Sequence, residues 1–125
     1  MARKYTAFIK SSKVPDLAIL QAAIKSLDFK LTLDDSYTPL KFSGYLPCTL
    51  DGEDAGCTLK FEASDMPDTT IVLQGGGDPR EQVTVLIIAA TLASTFGASV
   101  QDDKQQPASS ESLLAAARNQ FANLD

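Results

Sequence analysis

The groups best able to do chemistry in this chain are carboxylates. Asp51, Glu53 and Asp54 fall within one short segment, Asp34 and Asp35 are adjacent, and Asp65 and Asp68 bracket a third. Paired carboxylates run hydrolysis when one gives and the other takes a proton. Acids also gather at turns, because their side chains hydrogen-bond the local backbone. At all three segments turn chemistry is the stronger reading. Asp51-Gly-Glu-Asp54 lacks the Asp-x-Asp-x-Asp-Gly spacing and the distal Glu of a calcium loop. The chain has no histidine, which removes the usual serine and cysteine triads and His-based metal sites. Its two cysteines, Cys48 and Cys57, are too few for a zinc site. They read as small buried residues, open to oxidative joining only if they face each other across a hairpin. No catalytic residue, metal ligand or cofactor-binding residue is assigned on these grounds.

Gln74-Gly-Gly-Gly-Asp-Pro-Arg-Glu81 sits between a β-type run, Thr70–Leu73, and a long apolar segment from Val83 to Phe96. Strand, glycine turn and helix is the layout of a phosphate cradle. The Walker pattern needs Lys-Ser/Thr after its last glycine, and the dinucleotide pattern needs a third glycine where Arg80 stands. A helix start explains the residues better. Asp78 suits the N-cap, Pro79 the first helical position, and Glu81 the third position of a capping box. Two carboxylates then occupy the helix end that a phosphate would need.

Charge is unevenly spread. The formal net charge is −5. Residues 1–30 carry six Lys/Arg against two acids, a balance of +4, and residues 31–68 carry two lysines against eight acids, a balance of −6. An acidic middle disfavours nucleic acid, which relies on cations to neutralise phosphates. It suits a basic protein partner. The expected partner-binding residues are Asp34, Asp35, Asp51, Glu53 and Asp54, on loops at strand ends. No apolar run approaches the ~18 residues of a membrane span. The start, MARKYTAFIK, lacks the apolar stretch of a secretory signal. A cytoplasmic location is expected.

A single α+β domain over residues 1–125 should position these groups. Tyr5–Ile9 reads as a strand. Pro15 and Asp16 open a helix whose apolar face is Leu17, Leu20, Ala23, Ile24 and Leu27. Phe29–Leu33 alternates as a strand. Asp34–Pro39 is a loop, Leu40–Phe42 a short strand and Gly44–Pro47 a bend. Cys48–Leu50 and Cys57–Glu62 read as a hairpin around the turn-rich Asp51–Gly56. Thr69–Leu73 is a strand. Residues 79–96 form a helix apolar nearly all round, hence buried, ended by Gly97. Ala98–Val100 is a short strand, Asp102–Ala108 a loop. A last helix is capped by Ser109 or Ser110, with Leu113, Leu114, Ala117, Phe121 and Leu124 on one face. Consecutive strands in the middle imply a mainly antiparallel sheet against two or three helices, in the order β-α-β(3–5)-α-β-α.

Leu73-Gln-Gly-Gly-Gly-Asp-Pro-Arg-Glu81, then Ile87-Ile-Ala-Ala-Thr-Leu-Ala93 and Phe96-Gly-Ala98, resembles a pattern of small immunity proteins of bacterial polymorphic toxin systems. A late helix such as Ser110-Glu-Ser-Leu-Leu-Ala-Ala-Ala-Arg118 often follows. The resemblance covers about 50 of the 125 residues. It implies a non-catalytic antidote that binds one cognate toxin and occludes it, with no catalytic residue. An acidic patch would suit the basic active site of a nuclease toxin. Two other classes stay open: an acidic secretion chaperone that binds an effector segment as a homodimer, and a carboxylate-based enzyme.

Overall fold

A computed structural model of the chain describes residues 3–33, 43–62 and 68–124. Asp34, Asp35, the loop at 34–39, the strand at 40–42 and Asp65 lie outside the described residues. The fold is α+β. Strand β1 (Arg3–Lys10) runs into a 3-10 turn at Ser11–Lys13 and then helix α1 (Leu17–Ser26). Six short strands follow: β2 (Leu31–Leu33), β3 (Gly44–Leu46), β4 (Cys48–Leu50), β5 (Glu53–Asp54), β6 (Cys57–Glu62) and β7 (Asp68–Gly75). Helix α2 (Pro79–Phe96), strands β8 (Ser99–Gln101) and β9 (Pro107–Ala108), and helix α3 (Ser110–Ala122) complete it. The expected order holds. It is finer-grained than the periodicity indicated, because β3, β5 and β9 add short pairings at turns.

All strand pairings are antiparallel among the described residues. A six-stranded sheet has the order β3-β6-β7-β1-β8-β9, and a three-stranded sheet the order β2-β4-β5. Alternation along the large sheet puts Leu46, Cys57, Leu59, Ile71, Leu73, Ala7, Ile9 and Val100 on one buried face. Helix α2 covers that face, contacting β1, β6, β7 and β8, while α3 and α1 pack on the helix from its other side. This middle-layer position is why every residue from Val83 to Leu92 is buried. The two hydroxyls in that run are satisfied inside the helix: Thr84 donates to the Arg80 carbonyl at 3.1 Å and Thr91 to the Ile87 carbonyl at 2.8 Å.

Local chemistry fixes the ends. Asp16, not Pro15, is the N-cap of α1, its Oδ1 accepting the Ile19 amide at 2.8 Å. Pro15 stands before the cap and is buried. Helix α1 closes on Asp28 at φ 69, with the Phe29 amide returning to the Ile24 carbonyl at 3.3 Å. Gly97 takes the same role after α2 at φ 74. Ser109 caps α3 through the Ser112 amide at 3.1 Å. Arg118 ties α3 to the turn after α1. Its guanidinium lies 5.4 Å from the Phe29 ring centre and donates to the Leu27 carbonyl at 3.4 Å.

Two expectations about the middle of the chain need correction. Gly44–Leu46 is a strand, not a bend: Gly44, Tyr45 and Leu46 pair with Leu59, Thr58 and Cys57. Cys48–Leu50 and Cys57–Glu62 do not form a hairpin with each other. Strand β4 pairs with β2 and β5 in the small sheet, and β6 with β3 and β7 in the large one. Cys48 and Cys57 are both buried free thiols held in different sheets.

Candidate functional site: the acidic hairpin

The Asp-Gly pair at 51–52 makes the tight turn between β4 and β5. Asp51 has φ 52 and Gly52 φ 87, the two positive values a type I′ hairpin turn requires. Its right-handed twist matches that of the strands. Leu50 then pairs with Glu53 and Thr49 with Asp54. The Asp51 amide donates to the Lys30 carbonyl at 2.8 Å, and the Ala55 amide to the Cys48 carbonyl at 2.9 Å. Leu50 and Ala55 are buried at the root of the hairpin. The tip is thus anchored by backbone bonds and by core residues, while Asp51, Glu53 and Asp54 are exposed.

The three carboxylates do not converge. Neighbouring residues on a strand point to opposite faces. Glu53 is on the side of its partner Leu50, and with Asp51, Arg80, Phe121 and Leu124 these line a cavity of about 270 Å3. Asp54 is on the side of Thr49, which pairs in turn with Thr32. These three line a separate recess of about 170 Å3 with Leu33, Pro47 and Cys48. Arg80, on the first turn of α2, is half-buried in the wall of the first cavity. Sequence reasoning missed Phe121 and Leu124 as neighbours of the acids; only their expected place on one face of the last helix gave a signal, and Leu124 lies just beyond the end of α3 at Ala122. Among the described residues no three Asp, Glu or Cys side chains form a group able to hold a metal ion.

The glycine turn belongs to a different surface and has a packing role. Asp78 caps α2 by accepting the Arg80 amide at 2.9 Å. Glu81 accepts the amide of Gly76 at 2.9 Å, two residues before the cap, so the capping box closes on Gly76 instead of Asp78. None of Gly75, Gly76 and Gly77 has positive φ. A Cβ on Gly75 would stand 3.0 Å from the Glu81 carbonyl oxygen and 3.1 Å from its carbon. The glycine there lets the backbone of the strand approach the backbone of the helix.

Tyr45 is a further exposed feature that composition did not reveal. Its ring lies over Gly56, where an added Cβ would collide with the ring's hydroxyl end. Burial of the hydroxyl, and next the Glu81 charge, push its pKa above the ordinary tyrosine value; the Gly56 backbone hydrogen bond opposes them.

Among the described residues no helix is long and apolar enough to cross a membrane. No family model, curated protein or solved structure matches the chain.

Proposed function

We propose that the protein is a non-catalytic binding protein that docks a basic protein partner through the acidic hairpin at Asp51–Asp54, in the manner of a cytoplasmic immunity protein occluding a toxin. The observation that carries the reading is the presentation of the acids. A two-residue turn with both φ values positive holds three exposed carboxylates on a tip rooted in the core. Pre-organised charge at a surface speeds encounter with an opposite field and loses little entropy on binding. Asp34 and Asp35 lie in the same acidic stretch of sequence and are included in the proposed partner-binding set. No cofactor or metal enters the reading.

The test starts with a partner found by co-purification, with any protein encoded beside this one as the first candidate. Asp34, Asp35, Asp51, Glu53 and Asp54 are then replaced by Asn or Gln together. Slower association at low salt and weaker affinity, with an unchanged melting curve, support the hairpin as the docking site. Unchanged kinetics remove it. A stable homodimer that takes up an unfolded effector segment would instead favour the secretion-chaperone reading.

A further inference from the structure

We propose that the cleft between the large sheet and the first turns of α3 is a ligand site for an organic ammonium group carried on an apolar stem. It does not depend on the acidic hairpin, which lies at the other end of α3, roughly 17 Å along the helix. The cleft has a volume of about 760 Å3, within the ~300–1,000 Å3 of small-molecule sites. Strands β1 and β8 supply Tyr5 and Val100 to its walls, α2 supplies Ala93, and α3 supplies Leu113 and Ala116. Alternation puts Tyr5 and Val100 on the inward face of the sheet, the face of buried Ala7. The space stays open because alanines stand at 93, 98, 108 and 116, where larger side chains would fill it.

Asp102 sets what this lining can recognise. Thr6 pairs with Gln101, and one step further along the two strands Tyr5 comes beside Asp102, both in the cleft wall. The Asp102 side chain is half-buried and held in place: its Oδ1 accepts the Lys104 and Gln106 amides, each at 2.9 Å. Among the described residues Oδ2 accepts no such bond. One oxygen of a fixed carboxylate therefore remains for a ligand. An ammonium group brings three donors and no acceptor. One N–H meets Oδ2 in a charge-assisted bond, and the hydroxyls of Ser110 and Ser112 in the same lining accept the others. The Tyr5 ring beside the carboxylate adds the attraction of an aromatic for a cation. Val100, Leu113 and Ala116 pack the stem.

Charge decides between a cation and an anion. Asp102 is the one charged side chain among the described lining residues. Its sequence neighbour Asp103 and Glu111 of α3 are exposed acids, against the single cation Lys104. The N-terminus of α3 pulls the other way, but a helix end carries only about half a unit charge. Glu111 in the first turn offsets it, and the Ser109 cap already takes the Ser112 amide. The full charge of Asp102 wins, and an anionic ligand would meet it at contact distance.

The test titrates the isotope-labelled full chain with phenethylamine, 2-phenylethanol and phenylacetate, followed by amide chemical shifts. Phenethylamine should give saturable shifts centred on Tyr5, Val100, Asp102 and residues 110–116. The alcohol should bind about tenfold more weakly and the acid more weakly still. Asp102→Asn keeps the side-chain carbonyl that holds the Lys104 and Gln106 amides and removes the charge. It should weaken phenethylamine about tenfold and leave the alcohol unchanged. Ala116→Leu fills the cleft and should abolish binding of both. Nα-acetyl-lysine methylamide carries the same ammonium as a protein side chain does; binding tighter than phenethylamine assigns the site to a protein's lysine, weaker binding to a free amine. The proposal is overturned by phenylacetate binding as well as phenethylamine, or by no saturable shift at these residues up to about 10 mM. It is also overturned if phenethylamine affinity survives Asp102→Asn in a variant that melts like wild type.

Discussion

The Glu81 carboxylate and the Gly76 amide are joined at 2.9 Å across the entrance to α2. One residue earlier, Gly75 is buried with its Cα facing the Glu81 backbone. The three glycines therefore differ in what an added methyl meets. At Gly75 it meets helix backbone at 3.0 Å, which cannot move without shifting α2. At Gly76 it meets the end of the flexible Glu81 side chain, and at Gly77 it meets open space. Gly75→Ala should cost about 1–3 kcal/mol, in the range of overpacked sites. Gly77→Ala should be neutral or slightly stabilising, since alanine lowers the entropy of the unfolded chain. Gly76→Ala should fall between them, and Glu81→Ala should cost about 1 kcal/mol as a lost cap. Urea denaturation of the four variants tests the ranking. A larger loss at Gly77 than at Gly75 would contradict it.

Gln21 does the work of a missing strand neighbour. Its amide nitrogen donates to the Leu31 carbonyl at 2.8 Å, and its Oε1 accepts the Leu33 amide at 2.6 Å. Helix α1 thus satisfies two backbone groups of β2 on the side away from β4. Gln21→Leu keeps the size of the side chain but strips both partners away. It should lower stability by about 1–3 kcal/mol. Hydrogen exchange should quicken at the Leu33 amide. If exchange there is unchanged, the bidentate contact is absent in solution.

Tyr45 gives the fold an alkaline sensitivity. Its folded pKa is raised, by burial first and by the Glu81 charge second, while the unfolded chain ionises near the usual ~10. Above that value the unfolded state sheds the proton more readily. Stability is therefore fully present below about pH 10 and falls as pH rises through the folded value. The ring is half exposed, so the slope is shallow. Tyr45→Phe cannot ionise and should flatten the decline, although it loses the hydroxyl's contact with Gly56. Denaturation midpoints at about pH 8 and pH 11 compare the slopes. Parallel slopes would remove Tyr45 as the source.

Helix α2 was legible to the residue because three local signals agree: Asp78 as cap, Pro79 at the first position and Gly97 at the end. Its burial followed from apolar residues on every side. Strand β3 was not legible, since Gly44 and Pro47 punctuate Tyr45 and Leu46 like a bend. What makes it a strand is pairing with β6, a contact made far along the chain. The partner of β4 was misassigned for a related reason. Asp51–Gly52 is a two-residue hairpin signal, but the six-residue run to Gly56 looked like one longer loop. The dense acids at 51–54 were readable as exposed turn residues. Their division between two faces was not, because it depends on Glu53 and Asp54 being a strand.

That division yields the sharpest prediction about the proposed partner site. Asp51 and Glu53 share a cavity with Leu50, Phe121 and Leu124. A basic side chain entering there would have its carbon stem packed and its charge partly dried. Arg80 in the same wall limits how much positive charge the cavity accepts. Asp54 instead stands with Thr49 and Thr32 on the outer face of the small sheet. Desolvated interface charges govern dissociation and cost about 2–5 kcal/mol when truncated, whereas rim charges mainly set association. The double variant Asp51→Asn/Glu53→Gln should therefore speed dissociation from the co-purified partner and lose affinity in that range. Asp54→Asn should cost under ~1 kcal/mol and act chiefly on the association rate at low salt. Surface plasmon resonance at low and high salt separates the two. If Asp54→Asn alone carries the loss, the partner docks on the outer face of β5 and the cavity beside Phe121 is not part of the interface.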